Sequence, residues 1–262
     1  MQFKPYIIFI IVTASACTDQ AQHTAIVHHL EITGSSERSG INPYAHIKDI
    51  PLPEGFTRSE YVGDGFTVFL RNIELKKDKT VYLYNGLPKG NQSAQFAVLN
   101  ISVGNEDLQQ CADAVMRLRA EYFFAAKQYD RIIFSDNEGK VYKFKMPYTK
   151  ENFTRYLHRV FGMCGSASLS VMLHHVEFSD IRPGDVLIRG GFPGHAILVM
   201  DVAVNAAGKK IYLLAQSYMP AQDIHVLVNP TNENLSPWYE VNENKMVNTP
   251  EYLFYRNELK RW

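Results

Sequence analysis

Cysteine is scarce in this chain: 262 residues contain three, at positions 17, 111 and 164. That is too few for a disulfide framework, so stability has to come from an apolar core, and a chain that is 46% hydrophobic can supply one. Net charge is absent as well. Lys and Arg number 27 against 27 Asp and Glu, with no basic stripe, which argues against a nucleic-acid partner. There is no long like-charge run or low-complexity tract to make a disordered arm. No glycine-rich loop is built to cradle phosphate, and no Gly-x-Ser-x-Gly elbow offers a serine nucleophile. His28 with His29, and His174 with His175, stand in adjacent pairs, without the spacing of a zinc site. No metal and no cofactor are expected. The one apolar run of note, residues 6–12, is too short to span a bilayer.

That run is nevertheless informative. It follows a weakly basic start and leads into Thr13-Ala14-Ser15-Ala16-Cys17. The segment resembles the lipobox of bacterial lipoprotein signal peptides, with Ala14 where leucine is usual. The resemblance implies cleavage before Cys17 and lipid attachment to Cys17, so the membrane would be a partner through the lipid alone. The alternative is an ordinary cleaved secretion signal; either way the mature chain is exported to the cell envelope, at its periplasmic face or on the cell surface. The expected organisation is a leader over residues 1–16, a polar tether over 17–41 and a single α+β domain over 42–262.

Within the domain, the most informative stretch is residues 180–202, Asp-Ile-Arg-Pro-Gly-Asp-Val-Leu-Ile-Arg-Gly-Gly-Phe-Pro-Gly-His-Ala-Ile-Leu-Val-Met-Asp-Val. Residues 185–189 read as a short apolar strand, 190–194 as a turn, and 195–204 as a second strand that opens on His195. A polar ring at the head of an aliphatic strand needs a partner, so His195 is either a satisfied core histidine or a catalytic base. Residues 205–208 form a turn and 209–216 return. An even loop centred on Ala206 and Ala207 pairs Val204 with Lys209, Asp201 with Tyr212, Ile197 with Gln216 and His195 with Tyr218. His195 and Gln216 then share a face; an odd loop would flip Gln216 away. A side-chain amide beside a histidine can hold its ring in one tautomer.

The nucleophile to match is Cys111. Apolar positions 108, 111, 112, 115, 118 and 122 form a helical stripe, with Asp107 the expected N-cap of a helix over residues 107–127. Cys111 then falls in the first or second turn on the buried face, where the helix dipole and a histidine would favour its thiolate. Two plainer readings stay open: a small core hydrophobe, or a disulfide between Cys111 and Cys164. Elsewhere, residues 81–84, 95–103 and 224–228 read as strands. Residues 131–134 and 141–144 read as a strand pair, and 149–161 and 165–173 as helices. Arg117 and Glu121 are an i, i+4 ion pair, and Arg119 is a candidate grip for a substrate carboxylate. Ser217 and Tyr218 are candidate cleft residues, while Asp185 and Asp201 are expected to cap turns.

A cysteine helix followed by an antiparallel sheet carrying histidine and a polar third residue resembles the papain-like architecture in its small bacterial form. Residues 183–188 and 194–199 are similar to the corresponding stretch of NlpC/P60-type cell-wall peptidases. The resemblance implies Cys111 as nucleophile, His195 as base and Gln216 as the orienting group, with residues 128–175 as an insertion. Gln110 precedes the cysteine and Ala112-Asp113 follow it, where that family has aspartate before and serine and glycine after. Residues 109–122 and 214–223 resemble an exported bacterial family, domain-of-unknown-function family forty-eight forty-six, which brings no established reaction. Two functions follow as expectations. One is a thiol hydrolase, an amidase or peptidase acting on cell-wall peptides; the other is a non-catalytic envelope binding or scaffold lipoprotein on the same fold.

Overall fold

A computed structural model describes residues 40–262; the leader, Cys17 and most of the expected tether lie outside the described residues. In chain order the elements are β1 (Phe56–Arg58), α1 (Gly65–Arg71), β2 (Gln95–Val98), α2 (Cys111–Ala125), β3 (Ile133–Ser135), β4 (Val141–Lys143), α3 (Lys150–Met163) and α4 (Ser166–Met172). Then follow β5 (His174–His175), β6 (Val186–Arg189), β7 (His195–Asn205), β8 (Lys210–Gln216), β9 (His225–Leu227), β10 (Tyr239–Glu240), β11 (Met246–Asn248), β12 (Leu253–Tyr255) and β13 (Leu259–Arg261). The architecture is α+β, with a large antiparallel sheet ordered β2-β9-β8-β7-β6-β13-β5. β1 joins the far half of β7 and β10 the near half of β8, so the β7–β8 hairpin is paired along both flanks.

The aliphatic residues of β7 bury both faces of the sheet, as expected of a central strand. Ala196, Leu198 and Met200 face one cluster, into which α2 sends Ala112, Val115, Met116 and Leu118. Ile197 and Val199 face the other, with Leu214, Tyr239, Val247 and Phe254. Helix starts follow side-chain capping: Asp64 Oδ1 accepts from Phe66 N and Thr67 N at 3.0 and 3.2 Å, and Thr149 Oγ1 from Asn152 N at 3.3 Å.

The hairpin register differs from expectation near the turn and agrees with it near the site. Val204 pairs with Lys210 and Asp201 with Leu213, so the loop is odd and centred on Ala207. Left alone, that register would flip Gln216 to the wrong face. A bulge at Met200 absorbs one residue, after which Val199 pairs with Leu214 and Leu198 with Ala215. Continued one step, this register sets Ile197 opposite Gln216, as read from the sequence.

Other expectations need correction. The first turn proposed for residues 107–110 is not helical; the helix begins at Cys111, because Asp113 rather than Asp107 receives the capping N–H, Gln110 N to Oδ2 at 3.0 Å. Residues 81–84 make only isolated bridges, Tyr82 to Pro88 and Leu83 to Gln222, and the strand from residue 95 ends at Val98, with one further bridge from Leu99 to Leu75. His174 and His175 form a short strand. Residues 128–175 hold the β3–β4 hairpin, α3 and α4.

Asp201 does not cap a turn. It lies inside β7 beside the bulge, fully buried, with Arg58 Nε at 2.7 Å and Arg71 Nε at 2.8 Å. One carboxylate thereby ties β1 and α1 to the central strand. Asp185 accepts from Arg182 N at 2.8 Å, a turn contact, and also receives the Arg261 guanidinium at 2.6 and 2.9 Å. Replacing Asp201 by Ala leaves two guanidinium groups without their shared acid, and we expect a loss on the order of 3–5 kcal/mol, read as a lower urea midpoint.

Candidate functional site

The Cys111 side chain borders the β7 backbone. In β7 the N–H of Val199 points to β6, to Asp185 O at 2.8 Å, so by alternation the N–H of Ala196 points the other way, toward β8. β8 ends at Gln216, and Ser217 turns out of the ladder. The Ser217 hydroxyl lies 3.0 Å from Gln109 O and 2.8 Å from Gln222 O, sharing its hydrogen between two carbonyls. Asp107 Oδ1 accepts from Ala221 N at 2.6 Å. These contacts wedge the 107–110 loop into the gap left by β8. The N–H groups of Ala196, which would continue the ladder, of Ala112 and of Cys111 itself lie close enough to the Cys111 sulfur to favour its thiolate.

His195 and Gln216 project from the same face of the sheet beside this gap. Their contact, His195 Nε2 to Gln216 Oε1, is 2.8 Å. Its polarity follows from the next link. Gln216 Nε2 donates to Glu251 Oε2 at 2.8 Å, and a carboxylate can only accept, so the amide oxygen must face His195. His195 Nε2 therefore carries the hydrogen and Nδ1 keeps its lone pair. Glu251 is itself held, by Lys89 Nζ at 2.5 Å and Asn91 Nδ2 at 3.0 Å. The ring is packed by Tyr218 at 4.6 Å, Tyr252 at 4.9 Å and Phe254 at 5.8 Å between centroids. Among the described residues the sulfur has no hydrogen bond to the His195 ring; the backbone N–H groups are its polar neighbours.

Burial decides the protonation states. Desolvation lowers the pKa of His195 to about 4, against the opposing pull of Gln216 and Glu251. Desolvation likewise pushes the Cys111 thiol above its ordinary value, outweighing the N–H groups of Ala196 and Ala112. The resting pair is a neutral thiol and a neutral imidazole, not the thiolate expected from the helix dipole. Asp113, behind the cysteine in the first turn, is raised to about 8 by burial.

The expected site residues divide accordingly. His195, Gln216 and Tyr218 come together on the face that carries Ile197 and Val199, whereas Cys111 opens α2, which packs on the other face, and lies beside the β7 backbone at Ala196. Ser217 is buried and committed to the two carbonyls that hold the loop. Arg119 points elsewhere, its guanidinium stacked on Phe66, Phe123 and Trp262 at 4.8, 4.6 and 5.3 Å. Arg117 does pair with Glu121, at 3.2 Å. Cys111 and Cys164 are both free thiols, so the disulfide alternative is set aside. Lys89, Glu251 and Tyr252 escaped sequence reading because nothing local links them to Gln216; the one hint is an isolated acid in the aromatic tail Thr-Pro-Glu-Tyr-Leu-Phe-Tyr, residues 249–255. A cavity of about 230 Å³ opens next to the wedged loop, lined by Leu108, Gln109, Arg117 and His158 but not by Cys111 or His195. No group of His, Cys, Asp and Glu among the described residues is arranged to hold a metal ion, and no described helix is long and apolar enough to cross a membrane.

The family model described as Domain of unknown function (4846) matches residues 47–146 and 141–261, most of the chain. No curated protein and no solved structure matches it.

Two consequences can be measured. A Cβ at Gly194 would lie 2.3 Å from Ser166 Oγ and 2.5 Å from Gly191 O, so Gly194→Ala must displace the turn that delivers His195. We expect a cost of about 1–3 kcal/mol in denaturant unfolding. His195 and His225 are both buried neutral, at about 4 and about 3 against 6.5 unfolded, so the unfolded chain takes up protons first. Their contribution to stability is present above pH 6.5 and is lost as pH falls toward 4 and 3. The thermal midpoint should fall across that window, and less steeply in His225→Gln.

Proposed function

The chain belongs to the family described as Domain of unknown function (4846), and from its site we propose a cell-envelope thiol hydrolase that cleaves amide bonds in peptidoglycan-type peptides. The observation that carries this reading is a cysteine at the first position of α2, facing backbone N–H groups next to a histidine whose tautomer is fixed by Gln216. In this reading the fold is a papain-like variant. Export and lipid anchoring through Cys17 belong to the same proposal and rest on the leader sequence.

The chemistry then runs as general-base and nucleophilic catalysis. His195 Nδ1 takes the Cys111 thiol proton as sulfur bonds to the amide carbon, and the carbonyl π pair moves onto oxygen. The N–H groups at the start of α2 and at Ala196 are the available donors for that oxyanion. Nδ1–H next protonates the leaving amine as the C–N bond breaks. Water, losing a proton to Nδ1, attacks the thioester; a carboxylic acid leaves and the thiol regains its proton. Sulfur and Nδ1 must close to hydrogen-bond distance in the substrate complex. Tyr218, beside His195 and near Cys111, is the cleft wall.

Glu251 is a positioning residue here, acting through Gln216 on the histidine tautomer. The non-catalytic envelope binding reading draws on one specific observation: the thiol is 7% exposed and its pKa is raised rather than lowered.

Hydrolysis of stem peptides by the wild-type chain separates the two. Cys111→Ala should abolish release of new amino termini, and His195→Ala should lower kcat by about 10²–10⁴-fold. Full turnover in Cys111→Ala overturns the hydrolase. The acid limb of the wild-type pH profile should lie near 4, because only unprotonated His195 accepts a proton. Glu251→Gln, whose amide oxygen still accepts from Gln216, should retain most of kcat, whereas Glu251→Ala frees the Gln216 amide to turn and should lower kcat more than KM changes.

A further inference from the structure

The face of the sheet that carries His195 and Gln216 holds a second concavity. Tyr212 lies four residues before Gln216 on β8 and on the same face, about 13 Å away at about 3.3 Å per residue. A cavity of about 230 Å³ opens beside it, walled by the 229–235 turn, β10 and β11. Tyr212 is 2% exposed, and among the described residues its hydroxyl has no hydrogen-bond partner. The ring is fixed by Tyr239, stacked at 5.6 Å, and by Phe178, edge-on at 5.7 Å. Burial raises its pKa, so the group is a neutral phenol, both donor and acceptor.

The rest of the lining is as telling for its lack of charge. Asn232 and Asn242 have their side-chain oxygens held by Leu235 N at 3.2 Å and Asn244 N at 2.9 Å, which leaves their NH₂ groups available. Asn244 and Asn248 keep both ends of the amide free of protein side-chain partners among the described residues. The one charged lining residue, Glu240, is matched by Lys209 at 2.6 Å. A phosphate or a carboxylate would meet no opposite charge here, and a cation only a carboxylate already paired with Lys209. Primary amides offer paired donors and acceptors to hydroxyl and acetamido groups, and Met246 and Val247 supply an apolar wall for a methyl.

We propose that this cavity binds a neutral, N-acetylated saccharide. Binding does not depend on Cys111. Its use does rest on the hydrolase reading: a glycan held at Tyr212 would present an attached peptide to the cleft about 13 Å further along the same strand face, at about 3.3 Å per residue.

The test is calorimetric titration of the full chain with chitotetraose at millimolar concentration. Saturable binding is expected, weakened about 3- to 10-fold in Tyr212→Phe by loss of a neutral hydrogen bond, weakened again in Asn248→Ala, and unchanged in Cys111→Ala. Tyr212→Phe keeps the buried ring, and Asn248 is exposed, so both variants should fold, as unchanged thermal unfolding would verify. No binding to the wild type, or equal binding in Tyr212→Phe and Asn248→Ala, overturns the proposal. If Cys111→Ala binds like the wild type while no peptide is cleaved by either, the hydrolase reading fails and the saccharide site stands.

Discussion

The functional half of this molecule depends on a ladder that stops early. β7 and β8 pair as neighbours as far as Ala215, and after Gln216 β8 leaves, held off by one serine hydroxyl between two carbonyls. Backbone amides on a buried strand call for partners, and the Ala196 N–H released by that departure lies beside the Cys111 sulfur. The 107–110 loop, the start of α2 and the orientation of Tyr218 all follow from how the gap is filled. A β8 that ran on in register past Ser217 would close the gap and leave Cys111 nowhere to sit.

Much of the framework was legible because periodicity and turn chemistry are local. The aliphatic β7, its glycine-rich approach, the α3 and α4 helices and the β3–β4 hairpin were all readable from residue order. The pairing of His195 with Gln216 was read correctly for a reason only half right. The turn at Asn205–Lys209 has odd length, and a bulge at Met200, which no local signal announces, restores the phase. The start of α2 was misplaced because Asp107, the acid that stands where a cap would in sequence, is engaged by Ala221 N, while Asp113 in the first turn accepts from Gln110 N. Lys89 was illegible and Glu251 nearly so, since the links from Gln216 to Glu251 and from Glu251 to Lys89 join segments far apart in the chain.

The site also shows which electrostatic effect wins when two compete. A helix start and several N–H groups favour a thiolate by amounts of order 1 kcal/mol each. Removing a charged sulfur from water costs more than that, and the side chain stays protonated. The same burial keeps the imidazole neutral, so the pair is matched in the uncharged sense, with the base lone pair preserved by a chain of hydrogen bonds ending at Lys89. Rigid placement, rather than a standing negative charge, is what the surroundings of Cys111 supply.

The bulge at Met200 and the five-residue turn are two halves of one count. Either alone would rotate Gln216 out of reach of His195 and carry the aliphatic side chains of β8 to the wrong layers of the core. Removed together, they would cancel. A one-residue deletion in the turn therefore keeps Gln216 facing His195 only if the bulge is lost with it, so that length variation in an exposed loop is tied to a buried strand position five residues away.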